Sequence, residues 1–286
     1  MEIKKIGVMG AGIMGSGIGQ ICAVAGYPTI MSDISTELVN KGLASIGSFL
    51  SKSVEKKKIT LDEEHRVLGN IQGTTRFTDM SDCDMVFEAV VENIDVKLKV
   101  FAELDRICKP DAVFLSNTSS LCITQMAAGT KRPERFLGTH FFNPVPLMKL
   151  VEVIDTMMSS KEVFDIVYEL MKRLGKEPVH AHDKTGFIVN RLFSTYLLDA
   201  IRALEEGVGT VEDIDKAMKL GLGHPMGPFE LLDLTGLDTN LAIANTFYEE
   251  FRERRFAPPP TLRRMVMAGR LGRKSGRGFY DYTKSK

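Results

Sequence analysis

Short, continuous apolar runs separated by stretches of helical spacing dominate the first part of the chain. Runs at residues 3–9, 29–31, 85–89 and 112–116 have the length of strands buried on both faces, and residues 14–25 have helical spacing. Strands alternating with helices predict a doubly wound α/β unit, a parallel sheet covered on both sides. Runs at 136–142, 150–154 and 178–181 extend the sheet, with a helix over 161–173 between the last two. At Gly186 the period changes. Apolar residues then recur at helical spacing over 187–204, 212–220 and 240–252, which predicts an all-helical second domain. The boundary falls at residues 183–185, giving an α/β domain over 1–184 and a helical domain over 185–286.

About 50 residues separate the second strand from the next apolar run, far more than neighbouring parallel strands need. A helical insertion over about 35–70 accounts for them. Ser35 or Thr36 can cap its first helix, and Thr60 with Glu63 forms a capping box for a second. The first helix ends in Lys52, Lys56, Lys57 and Lys58. Such a cluster suits a solvated helix end, where the dipole favours cations, and equally suits an arm that binds phosphate.

Composition narrows the classes. The 286 residues carry 37 Lys plus Arg against 37 Asp plus Glu, a zero formal charge that argues against nucleic-acid binding. No apolar run approaches the roughly 20 residues of a membrane-spanning helix. Cys22, Cys83, Cys108 and Cys122 contain no C-x-x-C pair and read as buried thiols of a reducing, cytoplasmic compartment without zinc. His180 and His182 stand two apart with no obvious third ligand, so no metal is expected there.

Three clusters carry chemistry. Gly10, Gly12 and Gly15 form G-x-G-x-x-G between the first strand and an apolar helix, around Ile13 and Met14, and Asp33 ends the second strand. The glycines allow a tight turn, close approach of a pyrophosphate and helix-to-strand packing, while the carboxylate can accept the ribose hydroxyls of a dinucleotide. Ile34, Ser35 and Thr36 follow without an arginine for a 2′-phosphate, which favours NAD over NADP. The second cluster, Ser116 to Ser120, follows a strand where open α/β sheets bind ligands. The third is His140 with Glu152. A carboxylate holding an imidazole sets its tautomer, and removing a proton from an alcohol needs such a base.

These residues resemble the short-chain (S)-3-hydroxyacyl-CoA dehydrogenases, especially the bacterial 3-hydroxybutyryl-CoA dehydrogenases. The resemblance spans essentially the whole chain. It rests on the glycine loop with Asp33, on Asn117-Thr118-Ser119-Ser120, His140-Phe141-Phe142-Asn143-Pro144 and Gly186-Phe187-Ile188-Val189-Asn190-Arg191. His224-Pro225-Met226-Gly227-Pro228, Gly272-Arg273-Lys274-Ser275-Gly276 and Gly278-Phe279-Tyr280 complete it. It implies a Rossmann-like domain followed by a helical dimerisation and substrate domain, NAD as cofactor, an acyl-CoA substrate and a homodimer. It further implies His140 as acid–base residue oriented by Glu152, with Ser119 and Asn190 on the substrate's C3 oxygen. Glu92, Lys97 and Asn117 match cofactor-contacting positions, and Lys52 and Lys56 fall where the family meets coenzyme A. The implied reaction interconverts (S)-3-hydroxybutyryl-CoA and acetoacetyl-CoA, in butyrate-type fermentation or fatty-acid oxidation.

Two rivals remain. The β-hydroxyacid dehydrogenases of free acids place a lysine four residues before an asparagine, whereas here Gly186 stands four before Asn190 and Lys184 is out of register. A non-catalytic dinucleotide-binding relative would not require Ser119, His140, Glu152 and Asn190 together.

Overall fold

The computed structural model describes residues 1–283. The chain divides into two compact units, Met1–Phe187 and the residues from Ile188 onward. Among the described residues of the first unit, eight strands form one sheet in the order β3-β2-β1-β4-β5-β6-β7-β8. The elements run β1 (Ile6–Met9), α1 (Ile13–Val24), β2 (Thr29–Ser32), α2 (Thr36–Glu55), α3 (Leu61–Gly69), β3 (Ile71–Thr74), β4 (Met85–Glu88) and α4 (Ile94–Ile107). They continue with β5 (Val113–Ser116), α5 (Ile123–Ala128), β6 (Phe136–Phe141), β7 (Leu150–Asp155), α6 (Lys161–Arg173) and β8 (Glu177–His182).

The central strands are apolar on both faces because both faces are covered. Ile6, Val8, Met85 and Phe87 enter one core, and Met9, Val86 and Phe114 enter the other. Each fully buried large side chain contributes about 1.5–3 kcal/mol. The strand order reverses between β1 and β4, which leaves a crevice beyond their carboxyl ends.

Two features depart from the reading of the sequence. A strand, β3, lies within the long segment after β2 and pairs parallel with it, so α2 and α3 form the crossover between the two. Its residues Ile71-Gln72-Gly73-Thr74 sit at the sheet edge with only Ile71 buried, which is why no apolar run marks them. The second feature is direction: β6 and β7 pair antiparallel, alone among the sheet's pairings. Residues 142–149 are too few for the crossover that a parallel pair demands. The anticipated caps are present. Ser35 Oγ accepts from the Leu38 N–H at 3.3 Å, and Thr60 and Glu63 form a reciprocal capping box.

The second unit is helical: α7 (Val189–Glu205), α8 (Val211–Leu222), α9 (Pro228–Thr235), α10 (Leu237–Phe251) and α11 (Pro260–Met267). Leu197, Ile201, Phe229, Leu232 and Leu237 centre its core. Two buried carboxylates tie its ends together. Asp215 accepts from the Phe229 and Glu230 N–H groups at the start of α9 and from the Tyr280 hydroxyl at 2.8 Å. Asp233 accepts from the Phe279 and Tyr280 N–H groups, each at 2.9 Å. A Cβ at Gly227 or Gly278 would collide with these carboxylates, so both glycine-bearing strings build this latch. Among the described residues no helix is long and apolar enough to cross a membrane.

Candidate active site

The loop after β1 requires its glycines for separate reasons. Gly10 adopts φ +103°, a region that L side chains rarely enter, and a Cβ there would press into the Ala89 carbonyl. A Cβ on Gly15 would overlap the Gly10 carbonyl, whereas at Gly12 nothing lies within 4 Å. Gly12 is also the N-cap of α1, with no side-chain cap and no acidic residue in the first turn. Open space beside uncapped helical N–H groups fits a pyrophosphate. Asp33 reaches the same loop, its Oδ2 accepting from Ala11 N–H and its Oδ1 from Ile34 N–H, both at 2.7 Å. A cavity of about 670 Å³ begins here, lined by Gly10, Gly12, Ile13, Met14 and Asp33 on one side and by residues after β4 on the other. These residues fit the adenosine and diphosphate portions of a dinucleotide.

Past the carboxyl end of β4 lies a second group. Glu92 accepts from Thr118 Oγ1 at 2.5 Å, from Ser119 N–H at 2.9 Å and from Ser119 Oγ at 3.3 Å. Partial burial opposes ionisation of Glu92, but the Lys97 ammonium and the Thr118 and Ser119 donors outweigh it and hold its carboxyl below the usual range. Lys97 is itself only 1% exposed. Its ammonium bonds the fully buried Glu88 at 2.6 Å and pairs with Glu92 at 3.3 Å, so two carboxylates hold it in place. Glu88 also accepts from Ser116 Oγ at 2.6 Å and from Val90 N–H at 2.8 Å. Neither Glu88 nor Ser116 stands out in the sequence as part of such a network. The one available sign is a carboxylate closing an otherwise apolar strand.

Asn117 connects this group to the third. Its Oδ1 accepts from the Phe141 N–H at 3.0 Å, the residue after His140. His140 and Glu152 are register partners across β6 and β7, and His140 Nδ1 lies 2.6 Å from Glu152 Oε2. Both side chains are buried, and the imidazole packs against the rings of Phe142 and Phe187 at centroid distances of 4.6 and 5.7 Å. An ionised carboxylate only accepts, so the contact assigns the proton of the neutral imidazole to Nδ1 and leaves the lone pair on Nε2. A buried imidazole held in one tautomer can take a proton from an alcohol and return it.

The remaining candidates belong to other elements. Lys52 is in the last turn of α2 and Lys56 caps its end; with Lys57 and Lys58 they are exposed. Asn190 lies in the first turn of α7, in the second unit. Cys22, Cys83 and Cys108 are buried as expected, but Cys122 is exposed. It occupies the N-cap position of α5, at the end of a loop, and partial burial together with the Asp183 carboxylate raises its pKa.

A family model described as the NAD binding domain of 3-hydroxyacyl-CoA dehydrogenase matches residues 5–184. A second, the C-terminal domain of the same enzymes, matches residues 186–282. The chain belongs to the 3-hydroxyacyl-CoA dehydrogenase family. A 3-hydroxybutyryl-CoA dehydrogenase of Mycobacterium tuberculosis is 49% identical over 282 residues, covering 98% of this chain and 99% of the relative. That of Bradyrhizobium diazoefficiens is 46% identical, with coverages of 99% and 97%. The crystal structure of (S)-3-hydroxybutyryl-CoA dehydrogenase from Ralstonia eutropha superposes with a TM-score of 0.97 at 44% identity, covering 99% of this chain and all of that one. The 3-hydroxyacyl-CoA dehydrogenase family thus accounts for both units and for the glycine loop that opens the first.

Proposed function

We propose that the protein is an NAD-dependent dehydrogenase interconverting (S)-3-hydroxybutyryl-CoA and acetoacetyl-CoA. The observation that carries this reading is the buried His140–Glu152 pair, joined through Asn117 and Phe141 to the loop after β5. It supports proton transfer at a substrate hydroxyl beside an NAD-binding domain, in a chain whose full-length relatives bear that enzyme name. NAD, when bound, supplies the hydride acceptor at its nicotinamide. In the oxidative direction His140 Nε2 takes the C3 hydroxyl proton; in reduction it returns that proton to the C3 oxygen. Glu152 keeps the ring in the tautomer that both directions need, and Ser119 bonds the C3 oxygen. Asn117 faces the nicotinamide, and Glu92, supported by Lys97, holds the adjoining loop. Asp33 accepts the adenosine ribose hydroxyls, which favours NAD over its 2′-phosphorylated form.

Lys52 and Lys56 meet the phosphates of coenzyme A, a reading supported by their exposure at the end of α2. The second unit exposes Leu192, Val208, Leu220, Leu222 and Met267, apolar surface that suits a homodimer contact. Light scattering is expected to give twice the chain mass of 31.7 kDa; a monomeric mass at assay concentration overturns the dimer.

The deciding assay follows reduced-nicotinamide absorbance with acetoacetyl-CoA, comparing NADH with NADPH and the thioester with free acetoacetate. Rapid NADH oxidation with the thioester alone is the expected result. A preference for NADPH removes the role given to Asp33. Turnover of free acetoacetate points to the free-acid dehydrogenases, and no turnover by protein that still binds NADH points to a non-catalytic relative. In the same assay the Lys52→Ala/Lys56→Ala variant is expected to raise KM for the thioester several-fold, an effect that salt mimics in the parent protein. An unchanged KM would mean that the arm meets no phosphate.

A further inference from the structure

At the sheet edge farthest from β3, two histidines and a carboxylate converge outside the site described above. β8 is the last strand of the sheet, and its exposed residues His180 and His182 are two apart, so both project from the same face. The sequence offers them no third ligand, but the neighbouring strand does. β7 pairs parallel with β8 so that Asp155 stands opposite His182 and Val153 opposite His180. Asp155 Oδ1 lies 2.8 Å from His182 Nδ1, and Asp155 Oδ2 lies 3.0 Å from His180 Nε2. One donor atom from each residue falls within 4.8 Å of the others.

We propose that Asp155, His180 and His182 form a binding site for a divalent transition-metal ion of the Zn²⁺ or Ni²⁺ class. Imidazole nitrogen and carboxylate oxygen suit these ions, and two histidines with one carboxylate are the donors of an open tetrahedral site whose fourth position water fills. Donors at about 2.0–2.1 Å from such an ion stand roughly 3.3 Å apart. The two Asp155 contacts lie close to that, all three donors fall within 4.8 Å, and rotation of the exposed His182 imidazole closes the remainder. The backbone is already set: strand pairing fixes both positions on β8 against Asp155, and the Asp183 N–H donates to the Asp155 carbonyl at 3.1 Å. The ring of His180 rests on Phe164 at 4.4 Å, which restricts its orientation before any ion arrives. Coordination replaces the two hydrogen bonds of Asp155 and ties the edge strand to its neighbour.

Tag-free protein titrated calorimetrically with ZnCl₂, and separately with NiCl₂, is expected to bind one equivalent per chain. Zn²⁺ is also expected to raise the Tm, because the folded chain holds the three donors together and the unfolded chain does not. Three single variants, His180→Ala, His182→Ala and Asp155→Asn, are each expected to weaken binding about tenfold or more and to abolish the Tm increase. All three sites are at the sheet edge, and circular dichroism checks that each variant is folded. Binding unchanged in either histidine variant, or no binding by the parent protein, overturns the proposal. Loss in the histidine variants with full affinity in Asp155→Asn overturns the three-donor site and leaves a bare histidine pair.

Discussion

His140→Gln is expected to lower kcat for acetoacetyl-CoA reduction by about 10²–10⁴-fold, the usual worth of a positioned acid–base group, while the NADH Kd stays within about twofold. The separation follows from the structure. His140 lies on β6 beside Glu152, whereas the dinucleotide cavity is lined from β1, β2 and the segment after β4. Glutamine is close in size to histidine but offers no nitrogen that can take up and return a proton at neutral pH. Glu152→Gln should also reduce kcat, by less, because its amide can present N–H to Nδ1 and favour the wrong tautomer. Since Glu152 acts through the ring, its variant should lower kcat while the NADH Kd stays near that of the parent. Parent-like kcat in His140→Gln would remove the acid–base assignment, and parent-like kcat in Glu152→Gln would remove the orienting role.

Lys97→Met is expected to be the most destabilising single change, by about 3–5 kcal/mol, the typical cost of leaving a buried charge without its partner. Glu88 is fully buried and Lys97 only 1% exposed, so water cannot replace the lost ammonium. The Ser116 hydroxyl and the Val90 N–H would still donate to Glu88, which limits the damage. Urea denaturation measures the change, and the pair variant Glu88→Gln/Lys97→Met tests its cause. Removing both charges should cost much less than the sum of the two single changes. Equal, additive losses would mean that the pair contributes packing rather than charge. Lys97→Met should also weaken NADH binding, because Glu92 loses the cation that holds its carboxyl ionised beside Ser119.

Much of this was legible in the sequence where the requirement is local. The glycine spacing and Asp33 define a turn and a carboxylate whose positions follow from a single strand–loop–helix unit. The Ser35 cap, the Thr60–Glu63 capping box and the change of period near Gly186 are local in the same sense. What escaped depends on partners distant in sequence. Ile71-Gln72-Gly73-Thr74 forms a strand because β2 offers it an edge, not because its own residues alternate. Lys97 is picked out only by the family resemblance; its helix, with Asp95, Lys99 and Glu103, gives no sign that β4 brings Glu88 beneath it. Asp155 becomes a neighbour of His180 and His182 only through the pairing of β7 with β8. Hydrophobic period marks strands without giving their direction, so the antiparallel turn of β7 could be inferred only from the shortness of residues 142–149.

That turn determines which insertions and deletions the protein can tolerate over evolutionary time. His140 and Glu152 face each other through strand register, while Phe142 packs on the imidazole and Val145 is buried in the core, so length changes are tolerated only at the exposed residues 147–149. One residue inserted within β6 or β7, between either side chain and the turn, would instead send one of the two to the opposite face of the sheet. Descendants of this chain are therefore expected to vary Leu147, Met148 and Lys149 while Phe142, Val145 and the two strands stay fixed.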